Sequence, residues 1–171
     1  ANIKRIFEWL IPVKHVYRNR PVISFASIIF HICILVIAIF LSNHISLWKN
    51  GLGIHWPGIS SSIADVVTIV AITMAIILLA YRIFDRVART LSSFIDYFLL
   101  VLLMFLFASG FMAMHPETNP FSYNTMILIH ILSSELIFVL IPTTKLVHCV
   151  LFPFDRFSSD VFWKMPQGAG E

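Results

Sequence analysis

Charged residues are scarce in this chain of 171 residues, since 12% are Asp, Glu, Lys or Arg while 58% are hydrophobic. Soluble domains carry about 25% charged residues, and a soluble core of this size has no room for so much apolar side chain. Cysteine is also scarce: Cys33 and Cys149 stand in apolar runs without Cys-x-x-Cys spacing, which excludes a disulfide framework and a zinc or iron–sulfur motif. These shortages predict an integral membrane protein.

Four apolar runs have the length of a membrane-crossing helix, for which ~20 residues are needed. They cover about residues 21–46, 62–81, 91–115 and 121–151, and Pro142 predicts a kink in the last. The expected fold is an all-α membrane protein with four transmembrane helices in one bundle that forms a single domain, 1–171. Residues 4–20 predict a short amphipathic helix on the membrane surface. We do not expect a cleavable signal peptide, because no small-residue cleavage site follows a short apolar core.

Lysine and arginine are distributed unevenly around these spans. The segment before the first span has five, and the connection between the second and third has Arg82, Arg86 and Arg89, whereas the first outer connection has only Lys49. The positive-inside rule therefore predicts a multi-pass protein of the cytoplasmic membrane with both termini in the cytoplasm. The net charge of +3 reflects this topology and contact with membrane lipid, and we expect no nucleic-acid partner.

Seven histidines in so apolar a chain indicate function, because ionisable side chains within spans are costly. His130 and His148 are 18 residues apart, which is about five turns of one helix, so both face the same side roughly 27 Å apart. Imidazole is a common axial ligand of haem iron. Because the first and fourth spans run antiparallel, we expect His31 to pair with His148 and His44 with His130, each pair binding one haem.

The position of His44 needs a departure from ideal helix geometry. It follows His31 by 13 residues, which leaves the two imidazoles about 140° apart on a regular helix. Ser42 and Asn43 precede it, and both residue types compete for backbone hydrogen bonds, so we expect a loosened final turn. His55 and His115 are the alternative ligands at this end.

The haem type and its charged neighbours follow from the same residues. No Cys-x-x-Cys-His motif occurs, so two haem b groups are expected rather than covalently attached haem. Lys145, Arg82 and Arg86 are candidates to bind the haem propionates or the acidic face of a partner. Anchoring to lipid phosphate is an equally good interpretation of the arginines.

A family resemblance supports this interpretation. The run from His130 to His148, with Pro142-Thr-Thr inside it and Leu-Val-His at its end, resembles the last haem-binding helix of the gamma subunits of respiratory nitrate reductases and of related sulfate-reducer membrane cytochromes. Phe30-His31 followed by Ile34-Leu35 resembles an earlier haem helix of that family. The resemblance implies a dihaem cytochrome b that oxidises menaquinol or ubiquinol and passes electrons to a cytoplasmic iron–sulfur subunit. The nitrate reductase subunits have five spans, where this chain is expected to have four.

Quinol oxidation also releases protons, so a quinol site needs a proton acceptor. The candidates near the outer surface are His55, Asp65 and His115, with Lys49 as a hydrogen-bond donor to a quinone oxygen. Two alternatives stay open. A cytochrome b of the hydrogenase or formate dehydrogenase kind would place a haem ligand on a middle span, and a haem-free anchor or transport subunit would use its histidines structurally or for protons.

Overall fold

A computed structural model describes residues 20–148 of the chain. The helices in this part are α1 (Pro21–Phe40), α2 (Ser42–Leu52), α3 (Ser61–Phe84), α4 (Arg86–Leu91), α5 (Phe94–Met114) and α6 (Tyr123–Leu140). Four of them, α1, α3, α5 and α6, are long and apolar enough to cross a membrane, which confirms the predicted all-α membrane bundle. The predicted amphipathic segment 4–20, apart from Arg20, and the last residues of the fourth predicted span lie outside the described residues.

Two of the predicted spans are divided or shortened in the structure. The span expected over 21–46 ends at Phe40, and α2 begins at Ser42 after an extended residue, Leu41 (φ −67°, ψ 126°). The span expected over 121–151 is regular only from Tyr123 to Leu140. The spans expected over 62–81 and 91–115 are α3 and α5, with shifts of one to three residues at their ends.

Short polar residues and proline set several helix ends. Pro21 occupies the beginning of α1, where its missing N–H costs no hydrogen bond. Ser93 and Asp96 form a capping box at the start of α5. The Ser122 hydroxyl accepts a hydrogen bond from the Thr125 N–H at the start of α6. These contacts fix the residues at which the helices begin.

The bundle packs in the order α1, α3, α5 and α6. Ala71 and Ala75 of α3 are completely buried, and such small residues let neighbouring helices approach closely. Phe30 of α1 and Phe107 of α5 complete this core, with ring centroids 6.3 Å apart. The outward faces carry large apolar side chains such as Phe138, which is 69% exposed, so these faces require lipid as their solvent.

Candidate functional site

Four histidines form two pairs, and in each pair the two imidazole rings lie close together. The rings of His44 in α2 and His130 in α6 have centroids 6.3 Å apart and lie nearly parallel, with an interplanar angle of 13°. The rings of His31 in α1 and His148 beyond α6 have centroids 6.1 Å apart and are crossed at 64°. The structure therefore brings together the same two pairs that the sequence predicts.

All four imidazoles have the Nδ1 atom directed at a backbone carbonyl. His31 bonds the Ser27 carbonyl at 2.7 Å, His44 the Ile37 carbonyl at 3.1 Å and His130 the Leu106 carbonyl at 3.1 Å. His148 bonds the Lys145 carbonyl. Since a carbonyl only accepts, Nδ1 carries the proton in each ring, and Nε2 is the nitrogen with the lone pair. A metal-binding histidine is usually oriented by this kind of bond.

The ring spacing has a simple chemical meaning. A transition metal binds an imidazole nitrogen at about 2 Å, and the ring centre lies about 1 Å behind that nitrogen, so two ligands on opposite sides of one ion have ring centres roughly 6 Å apart. Both measured distances agree with that value. In residues 20–148 no group of three or more His, Cys, Asp or Glu side chains lies close enough together to hold a metal ion.

His130 is held by small residues of α5. The hydroxyl of Ser109, which is completely buried, lies 3.2 Å from His130 Nδ1. Gly110 is the next residue, and a Cβ atom built on it would lie 2.8 Å from His130 Cε1 and 3.1 Å from Nδ1. Only glycine leaves enough space at this position for the imidazole. Ser109 was not predicted as a site residue, although adjacent small residues in a helix rich in Phe, Leu and Met indicate a close contact at this position.

The break at Leu41 resolves the angular problem at His44. A regular helix would direct His31 and His44 about 140° apart, but α1 ends before α2 begins. The extended backbone of Leu41 changes the direction of the chain, and His44 consequently faces His130 while His31 faces His148. The expected loosening before His44 is present, although it lies at Leu41 rather than in the turn that Ser42 and Asn43 form.

The end of α6 differs from the assumption of five continuous turns between His130 and His148. Residues 141–146 form turns rather than helix, because Pro142 has no N–H to donate to the carbonyl four residues earlier. Lys145 in this segment donates from Nζ to Asp96 Oδ2 of α5 at 2.7 Å. The Asp96 side chain is 4% exposed and the Lys145 side chain 63%. An ammonium has three N–H donors, so the contact with Asp96 does not prevent Lys145 from also binding a propionate. That propionate contact stays a prediction.

Arg82 and Arg86, both candidates to bind a propionate, lie on two different helices. Arg82 is half-buried near the end of α3 and donates to the Ser92 hydroxyl at 3.1 Å. Asp85 then interrupts the helix and caps α4 by accepting from the Ala88 N–H at 2.7 Å. Arg86, the first residue of α4, is exposed. Its role towards a propionate, a lipid phosphate or a partner stays a prediction.

Two of the four quinone candidates lie together. His115, at the C-terminal end of α5, has Nε2 3.4 Å from Asp65 Oδ2 of α3 and donates from Nδ1 to the Phe111 carbonyl at 2.9 Å. This carbonyl contact raises the pKa of His115, and the carboxylates of Asp65 and Glu117 act in the same direction. Lys49 and His55 are exposed elsewhere on the surface.

A cleft of ≈ 190 Å³ opens beside the His115–Asp65 pair. Ser42 and Asn43, which begin α2 at the break, form its opposite side. The Asn43 amide also lies 3.1 Å from the Met114 sulfur. The cleft therefore combines a carboxylate, an imidazole and an amide, and the amide belongs to Asn43, which directly precedes His44.

The fold and these contacts define a multi-pass membrane protein with two pairs of neighbouring histidines. The chain is 30% identical over 155 residues to a protein of Nitratidesulfovibrio vulgaris (strain Hildenborough), and the alignment covers 90% of this chain and 67% of that protein. The chain belongs to the same family as this protein. No family model and no solved structure matches it.

Proposed function

We propose that the protein is a dihaem b-type cytochrome of a respiratory redox complex, which transfers electrons between the membrane quinol pool and a cytoplasmic iron–sulfur subunit. The observation that carries the proposal is the pair of ring spacings, 6.1 and 6.3 Å, at His31–His148 and His44–His130. Both suit an iron atom with an imidazole on each side. When bound, each haem b supplies a centre that gains or loses one electron at a time.

The surroundings of the histidines fit such a group. Each Nδ1 is engaged by a carbonyl, so Nε2 is available as the iron ligand. A porphyrin would supply four nitrogen ligands of its own, so a site with two histidines would be sufficient to hold a haem iron. Nothing in either pair provides the third and fourth protein ligands that a zinc site would need among the described residues.

The quinol part of the proposal depends on the cleft beside His115. Asp65 accepts a proton from a quinol hydroxyl, and His115 passes it towards solvent at the end of α5, where Glu117 also lies. Asn43 supplies an amide donor for the quinone oxygen. Asn43 directly precedes His44 and lines the same cleft as Asp65 and His115, so the proposed proton and electron acceptors lie at the same end of the bundle.

The other end of the bundle is proposed to face the cytoplasm and the iron–sulfur partner. Arg20, Arg82 and Arg86 lie at this end, where Arg20 forms an ion pair with Asp85 at 2.9 Å. This cationic surface is suited to an acidic partner face or to anionic lipid. His31 and His148 form the pair on this side.

The hydrogenase or formate dehydrogenase type of cytochrome b fits less well. It requires a haem ligand within a middle span, whereas α3 contains no histidine and His115 stands only at the end of α5. A haem-free anchor does not explain why two separate imidazole pairs have the same ligand spacing.

A dithionite-reduced minus oxidised absorption spectrum of the purified protein tests the proposal, with haem content measured as the pyridine haemochrome. We expect b-type bands and two haems per chain. His31→Ala and His148→Ala should remove the same haem, and His44→Ala and His130→Ala the other. His55→Ala, which alters an exposed histidine outside the pairs, should retain both. A spectrum without haem bands would refute the dihaem assignment.

A further inference from the structure

The carbonyl groups at the end of α1 have partners from a distant part of the chain. In a continuous helix the carbonyls of Ile39 and Phe40 would accept from the N–H groups of residues 43 and 44. In the structure Ile39 accepts from Trp56 Nε1 at 2.9 Å, and Phe40 accepts from the Ile59 N–H at 2.9 Å. The loop after α2 therefore supplies the hydrogen bonds that the break at Leu41 removes. Its Trp56 lies 17 residues after Ile39 in the sequence.

Close packing holds the same loop against the break. The Ser42 hydroxyl donates to the Ile59 carbonyl at 3.2 Å. A Cβ atom on Gly58 would lie 2.7 Å from Ser42 Oγ and 3.1 Å from both Ile45 Cδ1 and the Phe40 carbonyl oxygen. A larger residue at position 58 would have to displace backbone at the break, because one of these atoms belongs to the main chain.

The consequence for His44 is rotational. Without the break, this imidazole would be directed about 140° away from His31 and could not face the same partner helix. With the break present, the His44 ring lies nearly parallel to that of His130, and His44 Nδ1 hydrogen-bonds to the carbonyl of Ile37 in α1. The orientation of His44 towards His130 therefore depends on a loop whose hydrogen bonds are made to the break and not to either imidazole.

We infer that Trp56, Gly58 and Ile59 form a clamp that positions His44 as a ligand by holding the α1–α2 break open. The role of these residues is positioning, since they act on the backbone carbonyls of Ile39 and Phe40 and on the Ser42 hydroxyl. This inference rests on the proposed haem function for its spectroscopic consequence, but the clamp itself is a property of the polypeptide.

Two variants test the clamp at different strengths. Trp56→Phe removes the N–H donor and retains an aromatic ring, while Gly58→Ala adds the methyl group that the break cannot accommodate. The matched controls are Trp48→Phe, at a neighbouring exposed indole, and Gly51→Ala, where an added Cβ meets no atom within 4 Å.

The first measurement is the ferric EPR spectrum, since near-parallel and crossed axial imidazoles give different low-spin signals. The two pairs, at 13° and 64°, should therefore be distinguishable. We expect Trp56→Phe to alter the signal of the near-parallel pair alone and Gly58→Ala to abolish it, with the crossed pair and both controls unchanged. Equal changes in both signals would indicate general destabilisation and overturn the inference.

The second measurement is hydrogen exchange of peptides covering residues 40–46 and 56–60 in haem-free protein. Loss of one backbone-directed hydrogen bond should accelerate exchange there roughly five- to tenfold in Trp56→Phe. Unchanged exchange and unchanged EPR signals in both variants would refute the clamp. A wild-type protein without haem would instead refute the proposed function, and the exchange measurement would still decide whether the clamp exists.

Discussion

Replacement of Gly110 by alanine should weaken the binding of one haem and leave the binding of the other unchanged. The added Cβ would lie 2.8 Å from His130 Cε1, whereas carbon atoms in contact are normally ~3.5–4.0 Å apart. The imidazole must therefore move by roughly 0.7–1.2 Å, or α5 and α6 must separate by that amount. Helices packed through buried residues resist such separation, so most of the displacement should fall on the ring.

The energetic cost can be estimated from the size of this overlap. Adding a methyl group to a well-packed interior costs about 1–3 kcal/mol. Metal–ligand bonds tolerate displacements of only about 0.2 Å, so the shifted Nε2 no longer reaches the ligand position unless the strain is accepted. At 1.4 kcal/mol per tenfold change, haem affinity at the His44–His130 pair should fall by about five- to 150-fold.

The assay is a titration of haem into the haem-free variant, followed by absorption and by the ferric EPR spectrum. Gly51→Ala is the matched control, since it makes the same substitution in a helix with no atom within 4 Å of the new methyl group. A folded Gly110→Ala protein that binds both haems with unchanged affinity and unchanged signals would show that His130 is not the ligand, or that the close approach to α5 does not exist.

Two further predictions concern the ion pairs. Asp96→Asn should destabilise the protein by about 1–2 kcal/mol, because the buried side chain loses a charged hydrogen bond while the exposed ammonium of Lys145 is partly solvated. The same substitution should weaken haem retention at His148, because His148 Nδ1 bonds the Lys145 carbonyl. Thermal unfolding with haem release as the second signal checks this, and equal retention in both proteins would contradict it. Because the folded-state pKa of His115 is raised, its pairing with Asp65 stabilises the fold at low pH and is lost as pH rises through that pKa. Asp65→Asn should therefore lower the melting temperature more at about pH 5.5 than at about pH 8.5, and a larger effect at the higher pH would be inconsistent with the ion pair.

The spans are predictable because the thickness of the lipid hydrocarbon dictates the length of an apolar run. Their ends are less so, since they depend on individual capping contacts. The predicted start at residue 91 is wrong by three residues because Ser93 and Asp96 cap α5. Asp96 pairs with Lys145, which lies beyond the end of α6 and is 49 residues away along the sequence. Local sequence does not specify which of several cations reaches a buried carboxylate.

The break at Leu41 shows a second limit. Ser42 and Asn43 indicate that a regular turn is weak there, and this much is readable from local propensity. Where the helix divides is decided by hydrogen bonds from Trp56 and Ile59, which approach only after the chain has folded back. A calculation of 100° per residue along one ideal helix contains no information about that loop.

The pairing of the histidines was nevertheless predictable, and the reason is topological. Antiparallel neighbours bring together residues that lie at the same end of the bundle, so His31 meets His148 even though residues 141–146 are not helical and the assumed five turns do not exist. Which residues lie at the same end of the bundle does not depend on helical register, whereas the angle between two rings does. The 13° and 64° angles are thus the part of the site that only the folded structure provides. The ferric EPR spectrum of the two proposed haem sites tests these angles most directly.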